Sequence, residues 1–197
     1  AVSDSAVVLK INGEIEFNGI KLSQNPDYFK NNSGIANSEE RSFYWRLSVL
    51  ENLRFFMGIF QDKLDEDKIL EILRLLGIED IKNRPFRMLS SGMKAKVQIA
   101  RVLLKLPKLL VLDEPFSNID FNSREEIKAF LLKWVKEKDR MIIITSHHWE
   151  EIIEWIDETV LIDRGEIVGK QKKIEGKKYM RICYRSGIEK RIPLNAV

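Results

Sequence analysis

"LSSGMKAKVQIARVLLKLPKLLVLDEP", residues 89–115, is the stretch whose reading decides the fold. Its middle is helical: from about Ser91 to Leu106, Met93, Val97, Ala100 and Leu104 share one face, and Pro107 cannot continue the helix. "LLVLDEP" then reads as a fully buried strand that ends in two carboxylates, Asp113 and Glu114. Open α/β sheets bind ligands at the carboxyl ends of their strands, and a carboxylate there is costly to desolvate without a cation or a donor. The helix start offers Ser90, Ser91, Gly92, free backbone N–H groups and the positive end of the dipole to an anion. Each piece alone has a plain reading. Asp-Glu at the end of an apolar run arises by chance, and Ser90 or Ser91 is then only an N-cap.

Working outward, helix and buried strand alternate from residue 91 to 163. Ser123 and Glu126 suggest a capping box for a helix with Ile127, Phe130, Leu131, Trp134 and Val135 on its inner side. "MIIIT" reads as another buried strand, "HHWEEIIEWI" as a helix and "TVLID" as a third strand. That alternation predicts a parallel sheet covered on both faces. Upstream, "GEIEFNG" reads as a strand entering an Asn-Gly turn, residues 21–33 as a loop or short polar helix, and "SGIANS" as a brief strand. Helical spacing begins near Leu47, and a second helix runs from Asp65, its N-cap, to Leu76, with Gly77 as the stop. The tail, "GEIVGK" and "YMRICYRSGIEKRIPL", predicts antiparallel strands with a hairpin at Ser186-Gly187.

Composition bounds the function classes. At 197 residues, 44% hydrophobic and 32% charged, the chain is long enough for one sizeable core. No apolar run approaches the roughly 20 residues that cross a bilayer, and the opening "AVSDSAVVLKINGEIEF" is not a secretory signal. The single cysteine, Cys183, cannot form an internal disulfide and reads as a small apolar residue of a strand in a reducing cytoplasm. Nine Lys or Arg against two Glu make Lys170–Arg191 basic. Such a tail either touches anionic lipid or nucleic acid or, more plainly, blocks edge pairing of a terminal hairpin; no nucleic acid is expected as a partner.

Taken together, these residues resemble the ATP-binding cassette (ABC) ATPase family, over about residues 13–168. "LSSGMKAKVQIARVLL" is similar to its signature motif and following helix, "LLVLDEP" to its Walker B strand, "SNID" (Ser117–Asp120) to its D-loop and "TSHH" to its switch loop. Asp113 lies 23 residues after Ser90, and His147 lies 34 after Asp113, as in that family. The resemblance implies a P-loop NTPase-like parallel sheet flanked by helices, with a helical subdomain at about 43–106 in a domain of residues 1–168, followed by basic antiparallel strands at 169–197. It implies Glu114 and His147 as catalytic residues and Asp113 as a Mg2+ ligand. Ser90, Ser91, Gly92 and Met93 become the signature residues that face ATP on a partner subunit, and Ser117 and Asp120 belong to the D-loop. His148 replaces a more usual acid and is given no role. ATP and Mg2+ are the implied cofactors. A second ABC ATPase subunit and a membrane-spanning permease are the implied partners, with the chain in the cytoplasm on the inner face of the membrane.

Two departures matter. "ERSFYWRLSVLENLRFF" resembles the segment after the Q-loop in ABC ATPases of the drug and polysaccharide export type, but the glutamine position falls on Glu39. Glu39 either binds the metal, since Mg2+ prefers oxygen, or is a solvated loop residue. Tyr44 and Trp45 either pack in the core, the commoner fate of aromatics, or line the groove for a permease. The larger departure is that no G-x-x-x-x-G-K-[ST] occurs in the 197 residues. "GEIEFNG" matches the strand after the P-loop and its helix, so the expectation is a cassette that begins late and, alone, is inactive. Losing several charge-assisted contacts of about 1.5 to 3 kcal/mol each takes a micromolar ATP affinity beyond millimolar. The alternative is a non-hydrolysing or degenerate partner that supplies its signature in trans. A DNA-repair or chromosome-organising head is disfavoured, because the chain has no long heptad region.

Overall fold

The computed structural model describes residues 15–37, 42–60, 64–137, 140–146, 152, 155–163, 166–172, 179–183 and 189–193. The chain divides into two compact units, Ala1–Ser146 and His147–Val197.

In the first unit β1 (Glu16–Phe17) and β2 (Ile20–Lys21) pair across Asn18-Gly19, both at positive φ (52° and 76°). That is the geometry a two-residue Asn-Gly hairpin favours. The polar stretch forms α1 (Pro26–Asn32), with the Asn25 side chain accepting from the Tyr28 N–H at 2.9 Å and Pro26 in the first turn. Phe17 and Phe29 pack with Leu109 at the foot of the sheet.

The sheet has three parallel strands in the order β3 (Ser33–Asn37), β4 (Leu109–Asp113) and β5 (Met141–Thr145). The strands are in register, so that Asn37, Asp113 and Thr145 form one row at the carboxyl ends. On one face Leu110 and Leu112 are fully buried. The opposite row, Ile35–Val111–Ile143, reaches solvent: Ile35 is 62% and Ile143 45% exposed. This corrects the sequence expectation that "MIIIT" is buried. β5 is an outer strand of the described sheet, and its residues alternate between exposed and half-buried.

Helices α2 (Val49–Phe60), α3 (Glu66–Leu75) and α4 (Ser91–Leu103) form the helical part. α3 follows its sequence signals: Asp65 accepts from the Lys68 N–H at 3.1 Å and Gly77 ends it at φ 65°. α4 stops three residues before the expected Leu106, which itself turns out at φ 51°. A capping box does exist, but at Ser48 and Glu51 (2.7 Å, with the Glu51 N–H donating back at 3.2 Å), not at Ser123 and Glu126. The Ser48 hydroxyl and N–H hold the Glu51 carboxyl below its usual range. Inside α2, Asn52 is fully buried; its Oδ1 accepts from the Tyr44 N–H, and its Nδ2 donates to the carbonyls of Tyr44, Leu47 and Ser48. Asn52 thereby fixes the loop that carries Tyr44 and Trp45.

α5 (Phe121–Val135) is capped by Asp120, three residues earlier than expected, and buries Ile127 and Leu131 completely. Asp120 has the free loop geometry an N-cap needs and places Ser123 at the third helical position. Glu126 instead receives the ammonium of Lys96, a nearly buried lysine on α4. Close by, Gly92 meets the first turn of α5: a Cβ at Gly92 would lie 2.2 Å from Ser123 Oγ and 2.4 Å from its Cβ. The absent side chain thus lets the starts of α4 and α5 touch.

In the second unit β6 (Glu158–Asp163) pairs antiparallel with β7 (Glu166–Lys172), and β8 (Tyr179–Cys183) with β9 (Glu189–Pro193). "TVLID" therefore lies in an antiparallel pair, where a parallel strand was expected, and Ile162 on it is 63% exposed. The antiparallel tail agrees with the sequence reading, and Cys183 sits in a strand. The Ser186-Gly187 turn and most of the expected helix at 147–156 lie outside the described residues.

Gly92→Ala is expected to cost roughly 1–3 kcal/mol by overpacking. Ser123→Gly should return part of that loss in a double-mutant cycle of urea unfolding, whereas additive effects would mean the two residues do not touch in solution.

Candidate nucleotide-handling site

The site is built from the strand ends. Asp113 is the last residue of β4, exposed beside fully buried Leu112. Thr145, opposite it in register on β5, donates its hydroxyl to Asp113 Oδ1 at 2.5 Å. The next residue, Glu114, adopts φ 49°, a left-handed conformation that costs a non-glycine residue about 1–3 kcal/mol and persists only where surroundings enforce it. Here its N–H donates to both the carbonyl and the hydroxyl of Thr145, each at 3.2 Å. One threonine thus orients both carboxylate-bearing residues. The Ser117 N–H donates to the Glu114 carbonyl at 3.1 Å, Asn118 is again left-handed (φ 59°), and Phe116 and Ile119 are buried beneath the turn.

The residues expected to form the signature sit at the start of α4. Ser90 Oγ accepts from the Met93 N–H at 3.3 Å, so Ser90 is an N-cap; Ser91 is exposed and Met93 half-buried. Asp120 likewise caps α5, accepting from the Ser123 N–H at 2.9 Å and from its hydroxyl at 2.7 Å. These bonds, the backbone one foremost, hold the Asp120 carboxyl below its ordinary value of 3.8. Gly92 and Asp120, read from separate motifs, are brought together through Ser123, with Asp120 Oδ2 3.2 Å from where a Gly92 Cβ would lie.

Asp113 and its Thr145 partner are hard oxygen groups at a solvent-facing edge, which suits one position of a Mg2+ shell whose other ligands are waters and phosphate. Among the described residues no cluster of three metal-ligating side chains occurs. Glu39, His147 and His148 lie outside the described residues. Tyr44 and Trp45 are 50% and 55% exposed, which overturns their expected place in the core. Asn52 turns their loop outward, Trp45 lies under the Lys94 ammonium (5.6 Å) and Tyr44 packs edge-on to Phe55 (4.9 Å). The sequence gives no sign of the contacts of Thr145 with Asp113, of Ser123 with Asp120, or of Lys96 with Glu126. These contacts depend on register and helix packing, for which the linear sequence has no marker.

A depressed carboxyl contributes stability that is present above the ordinary aspartate range and lost as pH falls through the folded value. Asp120→Asn, which keeps an N-cap oxygen, should flatten the acid limb of the stability-versus-pH curve below about pH 4, measured by thermal unfolding; an unchanged acid limb would contradict the cap.

The ABC transporter family model matches residues 5–117. The spermidine/putrescine import ATP-binding protein PotA of Clostridium novyi is 31% identical over 158 residues, which are 79% of this chain and 45% of that protein. The molybdenum import ATP-binding protein ModC of Haemophilus ducreyi is 34% identical over 130 residues, 66% of this chain and 36% of that protein. The chain spans about half or less of the length of these curated relatives. Among solved structures, cbiO1 from Clostridium perfringens, part of the ABC transporter complex cbiONQ, superposes with a TM-score of 0.71 at 28% identity, covering 84% of this chain and 68% of that one. The dimeric ATP-binding cassette MJ0796 with ADP and Pi superposes at 0.67 and 21% identity, covering 82% and 73%, which speaks for the fold. Asp113 at the end of a central parallel strand, the capped helix α4 packed on α5 and these matches together place the chain in the ABC transporter family, as an ATPase domain.

Proposed function

We propose that the chain is the ATP-binding and ATP-hydrolysing part of an ABC transporter, coupling nucleotide turnover to transport through a permease. The observation that carries this reading is the Thr145 hydroxyl fixing Asp113 and Glu114 at one sheet edge. In this reading Asp113 would hold Mg2+, with Glu39 as a further ligand. The metal supplies charge neutralisation of the phosphates. Glu114 accepts a proton from the attacking water, and its left-handed backbone sets the direction of its side chain independently of the strand. His147 contacts the γ-phosphate. Ser90, Ser91, Gly92 and Met93 present α4 to ATP held by a second cassette, and Ser117 and Asp120 form the D-loop beside it.

The phosphate grip is the part that these 197 residues lack, since no G-x-x-x-x-G-K-[ST] occurs in them. Hydrolysis therefore needs a P-loop from outside this sequence, and by itself the chain binds ATP weakly. The permease partner docks on the exposed apolar residues Tyr44, Trp45, Phe55 and Ile59, which keeps the chain cytoplasmic at the inner membrane face. Among the described residues no helix is long and apolar enough to cross a membrane. The basic strands beyond residue 168 are an appendage to the cassette. The relatives named above carry import in their names, so the export resemblance of residues 40–56 rests on that segment alone.

The second reading, a non-hydrolysing partner that lends its signature in trans, is favoured by the missing P-loop. Turnover of an equimolar mixture with a cassette that owns an intact P-loop separates the two. Glu114→Gln should lower turnover by roughly 100-fold or more if Glu114 is the base; unchanged turnover would leave only the scaffold.

A further inference from the structure

An open groove of about 330 Å3 lies beside the amino ends of the parallel strands, lined by Lys30, Arg101 and Lys105 and by Ile35, Phe56 and Phe60. Its strand residues run from Ser33 to Ile35, four to two register positions, or about 13 to 7 Å, from the row that holds Asp113. None of its lining residues belongs to the proposed nucleotide site. Three basic residues thus line a groove with an apolar wall, and none is ion-paired with a carboxylate among the described residues. Lys105 donates to the Lys30 carbonyl at 3.3 Å and lies 5.0 Å from the Phe60 ring. The Arg101 guanidinium lies 5.2 Å from the rings of both Phe43 and Phe56 and donates to the Ser42 hydroxyl. Burial holds Arg101 below its ordinary range, a sign that its charge is short of solvent. Cation–π contacts orient these groups but leave net positive charge beside low-dielectric walls, where an anion gains most. The aromatic floor adds what a bare inorganic ion does not use, contact area for an apolar body.

We propose that this groove binds a small organic anion, with a phosphate or carboxylate head between Lys30, Arg101 and Lys105 and an aromatic or short aliphatic body along Phe56 and Phe60. The site uses no residue of the proposed ATPase machinery and stands or falls separately from it. Isothermal titration of the full chain with phenyl phosphate, benzoate, inorganic phosphate and phenol tests it. At least one of the two organic anions should bind one to one and roughly tenfold or more tighter than inorganic phosphate or phenol, and the comparison of phenyl phosphate with benzoate identifies the head. Lys30→Gln with Lys105→Gln, two surface changes that leave the core untouched, should weaken that binding roughly tenfold or more, each lost charge contact counting on the scale where 1.4 kcal/mol is tenfold. Asp113→Asn should leave it intact. The proposal is overturned if neither organic anion exceeds both phenol and inorganic phosphate, if the double variant binds as well as the parent, or if Asp113→Asn abolishes binding.

Discussion

The hydroxyl of Thr145 on Asp113, and the Glu114 N–H on Thr145, fix two carboxylate-bearing residues at one sheet edge, and the proposed nucleotide site depends on them. Both bonds follow from register. Parallel pairing of β4 with β5 sets Thr145 opposite Asp113, and a shift of one residue would put an isoleucine or a serine there and turn the carboxylate toward the other face. The register is enforced from below by the alternation of Leu110 and Leu112, fully buried, with the half-exposed row of Val111. A buried hydrophobic face thus determines where two exposed carboxylates stand. The left-handed turn at Glu114 is affordable only because its N–H and carbonyl are both bonded.

A second lock joins the two motifs that sequence alone keeps apart. Gly92 gives α4 room to meet Ser123, Asp120 holds Ser123 by two bonds, and Lys96 reaches across to Glu126. The partly buried ion pair is stabilised by position rather than by bare Coulomb attraction: with one end exposed on Glu126, the lysine stem packs inside while its ammonium finds a carboxylate. The starts of α4 and α5 are therefore tied together by packing, hydrogen bonds and an ion pair, which suits the proposed role of this surface against a second cassette.

Much of this was legible in the residues. Asp65 and Gly77 bound α3, Asn18-Gly19 makes the first turn, and "LLVLD" is a strand ending at an exposed acid, because each depends on local chemistry a few residues wide. What was not legible depends on partners distant in sequence. The same Ser-x-x-Glu spacing occurs at Ser48–Glu51 and Ser123–Glu126, yet only the first is a capping box, since Lys96, 30 residues before Glu126, takes the second glutamate away. Tyr44 and Trp45 look like core residues until Asn52 turns their loop outward. "MIIIT" looks buried because its composition does not record that β5 is an outer strand of the described sheet.

The central claim, that the Asp113–Thr145 edge is where a metal–nucleotide complex sits, is tested most directly by Mn2+ with ATP as a paramagnetic probe of backbone amides, a readout that tolerates weak binding. Line broadening centred on Asn37, Asp113, Glu114 and Thr145 is expected, and it should fade in Asp113→Asn. Broadening centred elsewhere, or equal in the parent and in Asp113→Asn, would contradict it.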